Sequence, residues 1–264
     1  MTRKDLSIEY RGEDQTVAVV RLTRPAKRNA LNDGLVEAIR KAFENMPQSV
    51  RAAVIDGEGE HFCAGLDLSE LSERDAGEGM RHSRAWHVAL ERVQYGPVPV
   101  VAALHGAVVG GGLELASACH IRVADDSTFF ALPEGSRGIF VGGGGSVRIP
   151  RLIGVARMTD MMLTGRVYDA TEGHAAGLSH YLVGEGEALD KALELAGTAA
   201  EVAPMTTYAV LQALPRISEV GPHEGYLLES LMAAVASSSE DAQARMRAFL
   251  EGRAARVAAP EGQS

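Results

Sequence analysis

Apolar and polar positions alternate with a period of two over residues 6–11 and 16–22, which predicts two strands joined by the Gly12-Glu13-Asp14 turn. The period then lengthens. After Asn32-Asp33, residues Leu35, Ile39, Ala42 and Phe43 recur on one helical face, so a capped helix is expected as far as about Met46. Residues 52–55 form a short apolar run of the length of a buried strand. Residues 72–79 are polar and expected to be mobile, and a helix should follow over about 80–94. Pro97 and Pro99 mark entry to a strand over 100–104. The triplet Gly110-Gly111-Gly112 is then its exit, leading to a helix over 113–119 and strands over 121–124 and 128–131.

From Val147 onward the pattern is almost entirely helical, with helices expected at 155–163, 187–201, 205–214, 223–237 and 239–252. Residues 178–183 are the exception, a last strand, and the tail after Ala254 should fray. Strand–helix alternation followed by helices predicts an α/β core over residues 1–200 and a helical C-terminal region over 201–264.

The chain has 264 residues, enough for one substantial core, and its net charge of −9 argues against a nucleic-acid partner. Two cysteines, Cys63 and Cys119, make no disulfide framework, and the charged start leads into no apolar signal region. A cytoplasmic location is therefore expected. The most apolar stretch, 98–119, carries His105, Glu114 and the glycine triplet, which favours a strand and a helix over a membrane span. His61-Phe62-Cys63 and Cys119-His120 lack paired ligand spacing, so no metal site is expected.

The chemistry concentrates in three glycine-containing segments. A strand that ends in Gly110-Gly111-Gly112 and opens a helix exposes N–H groups beside a positive dipole end. Such a turn can receive a phosphate or an oxyanion, or simply pack a helix closely on a strand. The run Phe62-Cys63-Ala64-Gly65-Leu66-Asp67-Leu68 is similar in kind, and the Leu66 amide could be a second donor. Glu114 follows the first turn, and Glu134, in Pro133-Glu134-Gly135-Ser136-Arg137, stands upstream of the run Gly142 to Gly145. Free amides with two carboxylates are the parts needed to stabilise an enolate and move protons beside it. Taken singly, Glu114 could serve only the helix dipole and Glu134 could pair with Arg137.

In order and spacing, these segments resemble the enoyl-CoA hydratase/isomerase (crotonase) superfamily. The matching pieces are residues 22–31 (Leu22-Thr23-Arg24-Pro25-Ala26-Lys27-Arg28-Asn29-Ala30-Leu31), Phe62 to Leu68, and His105 to Glu114. Pro133-Glu134, Gly142 to Ser146 and Leu163-Thr164-Gly165 continue the match, which spans nearly the whole chain. The resemblance implies a crotonase-like ββα spiral core with a helical C-terminal trimerisation region. It implies an acyl-CoA thioester as ligand, no cofactor beyond the CoA of the substrate, and a homotrimer or dimer of trimers. Carried over by position, the amides of Leu66 and Gly111 grip the thioester carbonyl, and Glu114 and Glu134 hold and activate water. Arg24, Lys27, Arg28, Ala30, Ala64, Asp67, Leu68, Gly110 and Pro133 would line the CoA and acyl path.

The resemblance also implies that residues 80–93 shape an acyl pocket, where Trp86, His87, Leu90 and Val93 share a helical face that could equally be core. The sequence departs from the family after the last helix, where Arg253 or Arg256 stands in place of a lysine and an aromatic. The activity expected is hydration of a trans-2-enoyl-CoA. A Δ3,Δ2-enoyl-CoA isomerase is the nearest rival, followed by a hydroxycinnamoyl-CoA hydratase-lyase. A non-enzymatic RNA-binding or scaffold relative of the fold is disfavoured by the acidic balance.

Overall fold

The computed structural model describes residues 5–70 and 75–253. Part of the polar 72–79 stretch and the tail expected to fray lie outside the described residues, as does Arg256. The chain divides into two compact units, Met1–Glu201 and Val202–Ser264.

The first unit opens with β1 (Leu6–Arg11) and β2 (Val17–Leu22), antiparallel and in register from Leu6 opposite Leu22. Helix α1 (Asp33–Glu44) follows, its first turn capped where Asn32 accepts from the Leu35 amide. Strand β3 (Ala52–Gly57) is buried throughout. Helix α2 (Ala76–Gln94) begins a full turn before the expected position, because Asp75 and Glu78 form a reciprocal capping box.

Strand β4 (Val100–Leu104) does not run on to the glycine triplet. The chain turns at Gly106 and forms a separate strand, β5 (Ala107–Val109), before α3 (Gly111–Ala118). Strands β6 (Ile121–Asp125) and β7 (Phe129–Ala131) come next, then α4 (Gly145–Ile153) and α5 (Val155–Thr164). A two-residue strand, β8 (Tyr168–Asp169), and a short helix, α6 (Ala170–Ala176), precede β9 (Tyr181–Val183) and α7 (Ala188–Ala200). Neither β8 nor α6 is expected from the sequence pattern, and β9 is only the last half of the strand expected over 178–183.

Six strands form one sheet in the order β1-β2-β3-β4-β6-β9, parallel from β2 onward. The others form a smaller sheet, β5-β7-β8. The larger sheet has two buried faces. Ala53, Ile55, Val100, Ala102 and Leu104 join the main core, whereas Ala52, Val54, Val101, Ala103 and Val123 face α7. That helix presents Ala188, Ala192, Ala196 and Ala200 at four-residue intervals, a small-residue stripe that lets its backbone lie close to the sheet. Such strands read as continuous apolar runs because both faces are covered. Cys63 and Cys119 are both buried and unpaired, and burial pushes each thiol up to about 12.

The second unit is helical. α8 (Pro204–Tyr208) passes through a π-helical stretch, Ala209–Ala213, into α9 (Leu214–Ile217), where Pro215 cannot supply an amide. Helices α10 (Pro222–Ser238) and α11 (Glu240–Leu250) complete it. Large apolar side chains stand exposed on these helices, among them Tyr226, Leu227, Leu231, Met246, Phe249 and Leu250. Among the described residues no helix is long and apolar enough to cross a membrane.

Candidate active site

Two parallel bridges outside the named strands bring the glycine segments together. Leu66 bridges Leu31, with the Leu31 amide donating to the Gly65 carbonyl at 2.7 Å and the Asp67 amide donating to the Leu31 carbonyl at 2.8 Å. In this pattern the N–H of Leu66 itself faces away from Leu31. Cys63 bridges Val108 in the same manner, which ties residues 62–66 to β5.

At the end of β5, the Gly110 amide donates to the Ala131 carbonyl at 2.9 Å, continuing the pairing with β7. Gly111 is the first residue of α3, where a helix has no internal acceptor for the amide. Among the described residues, neither the Leu66 nor the Gly111 amide is engaged by a backbone acceptor. They are near neighbours: a Cβ on Gly111 would stand 3.6 Å from the Leu66 nitrogen, and one on Gly65 would stand 3.4 Å from the Gly111 nitrogen. Two unengaged amides side by side are the components of an oxyanion hole.

The carboxylates come from two different segments beside this turn. Glu114 lies on the first turn of α3, only 3% exposed, and its Oε1 accepts from the amides of Gly143 and Gly145, each at 2.8 Å. Glu134 arrives three residues after the Ala131–Gly110 bond, so the β5–β7 pairing that pins the turn also delivers this side chain. Its Oε1 is 2.5 Å from where a Cβ on Gly110 would be. Gly110 has φ 52° and ψ −120°, a conformation essentially reserved for glycine. Glu134 is buried rather than paired with Arg137 at the surface, and its Oε2 is buried without a hydrogen-bond partner.

Burial raises both carboxyls. On Glu114 the rise is opposed by the amides of Gly145 and Gly143 and by Arg148. On Glu134 the charge of nearby Glu114 adds to burial and the carboxyl reaches about 7. The charge of Glu114 is thus felt at Glu134, which links the two carboxyls.

The second cluster of expected residues lies beside the Leu31–Leu66 bridge. Ala64 donates its amide to the Arg28 carbonyl at 2.9 Å, so segments 28–31 and 64–67 run together. The Arg24 guanidinium donates to Asp67 Oδ2 at 2.8 Å and to the Ala30 carbonyl, and approaches Asp5 at 3.4 Å. Ser69, first, and Arg24 hold the buried Asp67 carboxyl down to about 2. Arg24 and Asp67 thus pair with one another and brace the strip. Lys27, Arg28 and Leu68 are exposed on its outer side, and Pro133 is half-buried next to Glu134. Arg253 pairs with Glu251.

In the sequence Asn29 figures only within the 22–31 match, and Ser83 and Arg148 carry no motif, yet the structure makes all three important. Asn29, fully buried with φ 53°, donates to the carbonyls of Glu58 and His61 and accepts from the Arg24 amide. Asn is among the few residues that tolerate this backbone conformation, which was the available signal. Arg148, on α4, is buried; it donates to the Gly143 carbonyl at 2.8 Å and to Gln94 at 2.6 Å. Ser83, on α2, donates to the Gly142 carbonyl at 2.7 Å.

On the expected acyl-pocket face, Trp86, Leu90 and Val93 are buried in the main core. Trp86 packs against the oxyanion turn, 3.1 Å from a Cβ placed on Gly111, and its Nε1 donates to Asp33 at 3.3 Å. His82 meets the same Asp33 oxygen at 2.7 Å, and His87 turns to Ser83.

Paired amides, two buried carboxyls and a glycine-lined turn are the parts that an enolate-stabilising site requires. The family model for enoyl-CoA hydratase/isomerase matches residues 12–258. A probable enoyl-CoA hydratase of Bacillus subtilis is 37% identical over 246 residues, covering 91% of this chain and 94% of that protein. The 2,3-dehydroadipyl-CoA hydratase of Escherichia coli is 34% identical, covering 90% and 94% respectively. Among solved structures, a Rhodopseudomonas palustris protein provisionally named enoyl-CoA hydratase superposes with a TM-score of 0.91 at 60% identity, covering 94% of this chain and 95% of that one. The enoyl-CoA hydratase of Bacillus anthracis gives 0.87 at 30% identity, covering 94% and 97%. The chain belongs to the enoyl-CoA hydratase/isomerase family and is an enzyme of the crotonase type, whose substrates are acyl-CoA thioesters.

Proposed function

We propose that the protein adds water across the C2=C3 bond of a trans-2-enoyl-CoA to give a 3-hydroxyacyl-CoA. The observation that carries this reading is the linked pair Glu114 and Glu134 at the Gly110 turn, beside two unengaged amides. The names of the relatives, hydratases for the most part, support the same direction.

In this mechanism the thioester carbonyl accepts from the amides of Leu66 and Gly111, which draws electrons from C3. Water bonds to C3 through oxygen as the C2=C3 π pair shifts to form a C1=C2 bond and the carbonyl π pair moves onto oxygen, giving an enolate. Glu114, whose Oε1 is held by two amides that oppose the rise imposed by burial, takes the proton that the water loses. Glu134, whose carboxyl is held up to about 7, gives a proton to C2 as the enolate collapses. Return of one proton from Glu114 to Glu134 resets the pair. Each amide donor contributes about 2.7–4 kcal/mol to the barrier reduction, judged by the effect of removing one such donor.

The test is direct. Crotonyl-CoA mixed with the protein should lose its conjugated absorbance and yield 3-hydroxybutyryl-CoA. Conversion of a 3-enoyl-CoA alone, with crotonyl-CoA inert, would instead make the chain an isomerase. The Lys27, Arg28, Ala30, Ala64 and Leu68 strip is proposed as the CoA contact, checked by the salt dependence of CoA-thioester affinity in a Lys27→Ala, Arg28→Ala variant.

A further inference from the structure

Glu114 is held by the amides of a glycine turn, so whatever fixes that turn decides where the carboxylate sits. The carbonyls of the turn are taken up on its other side. Ser83 Oγ donates to the Gly142 carbonyl at 2.7 Å, and Arg148 Nη1 donates to the Gly143 carbonyl at 2.8 Å. The Gly142 carbonyl and the Gly143 amide belong to one planar trans peptide group, so they point in opposite directions. A hydrogen bond accepted at one end polarises the donor at the other. An unbroken line therefore runs from the Ser83 hydroxyl, through the 142–143 peptide, to Glu114 Oε1. With its proton directed to Gly142, the Ser83 oxygen is left to accept from His87 Nε2, 3.3 Å away.

The peptide in this line joins two glycines, so little steric resistance opposes its rotation. Were it to flip, a carbonyl oxygen would face the Glu114 carboxylate in place of a donor. The bond from Ser83 opposes that flip, because rotation would break it.

We propose that Ser83 is a positioning residue for Glu114, acting through the 142–143 peptide to keep its amide aimed at the carboxylate and to strengthen it as a donor. The inference rests on the hydration reading in that Glu114 is there the proton acceptor. Glu114 is also faced by Glu134 and by Arg148 from α4, and His87 by Arg84, Glu91 and Arg148, so these groups titrate or act alongside it.

The experiment is a titration of the Glu114 carboxyl by difference infrared spectroscopy, with Glu114→Gln assigning its band. It is run on the full-length protein and on the Ser83→Ala and Ser83→Thr variants. Alanine suits a helix interior, so the first variant keeps α2. The Glu114 midpoint should rise by about half a pH unit or more in Ser83→Ala, the scale of one lost hydrogen bond, and return in Ser83→Thr. On crotonyl-CoA, kcat should fall about 3–10-fold with KM nearly constant, and the corresponding limb of the pH profile should move with the infrared midpoint. An unmoved midpoint in Ser83→Ala overturns the proposal, as does a displacement that threonine shares. Failure of the wild-type protein on crotonyl-CoA would sink the hydration reading while leaving the infrared outcome to decide the role of Ser83.

Discussion

Replacing Glu134 by glutamine separates its charge from its shape. Burial, reinforced by Glu114, lifts the carboxyl from an ordinary 4.5 to about 7. That gap is worth about 3 kcal/mol at about 1.4 kcal/mol per pH unit. The folded state holds the proton more tightly than the unfolded chain does, so the associated stability is complete below 4.5. It is lost as pH rises to about 7. Glutamine cannot ionise and escapes this loss. Urea unfolding at a fixed subunit concentration, repeated across this range, should show Glu134→Gln gaining on the wild type by up to about 3 kcal/mol. A difference that stays constant with pH would refute the argument that the carboxyl is raised. In parallel, kcat on crotonyl-CoA should drop by about 10²–10⁴-fold while affinity for butyryl-CoA is retained. If affinity collapses too, Glu134 is a structural residue and its role as proton donor is lost.

Gly110→Ala should cost about 1–3 kcal/mol of stability for its backbone conformation and should displace Glu134, so activity should fall further than Tm predicts. A variant with full kcat would show that the turn does not set the carboxylate. Asp67→Asn should destabilise the protein at neutral pH, because Ser69 and Arg24 hold the carboxyl near 2 against an ordinary 3.8. That contribution is present above 3.8 and fades as pH falls toward 2, so equal unfolding of variant and wild type at pH 7 would count against it. Trp86→Ala should cost about 3–5 kcal/mol and weaken carbonyl polarisation, since the ring packs on Gly111. Retained Tm with lowered kcat would place its effect on the turn alone. Light scattering should give a multiple of the single-chain mass, reduced by Leu231→Glu on the exposed face of α10; a single-chain mass for the unaltered protein would end the trimer expectation.

The parts of the fold that announce themselves are those with clean periodicity. The α1 face and its Asn32 cap, the buried strands β3 and β4, and the C-terminal helices follow directly from apolar spacing. Strand β5 hides because an apolar run shows no period when both faces are covered; Gly106, with φ 52°, was its only mark. Helices α2 and α6 begin with capping boxes, Asp75/Glu78 and Asp169/Glu172. Gly77, Gly79 and Gly173 weaken the propensity signal that would otherwise reveal the first turn of α2 and the whole of α6. At the site, glutamates and glycines were visible as types in order. The buried arginine at 148 and the serine at 83 were not, because a residue acting across a tertiary contact leaves no local pattern.

In the proposed mechanism Leu66 and Gly111 contribute only main chain to the carbonyl grip, so the grip depends on how closely Trp86 and Leu31 hold the turn and not on the chemistry of a side chain there. On the same proposal, the proton transfers rest on the carboxyls at 114 and 134. A scaffold of this kind offers a route to new activities in which thioester capture is inherited intact and only the proton-handling groups are redrawn.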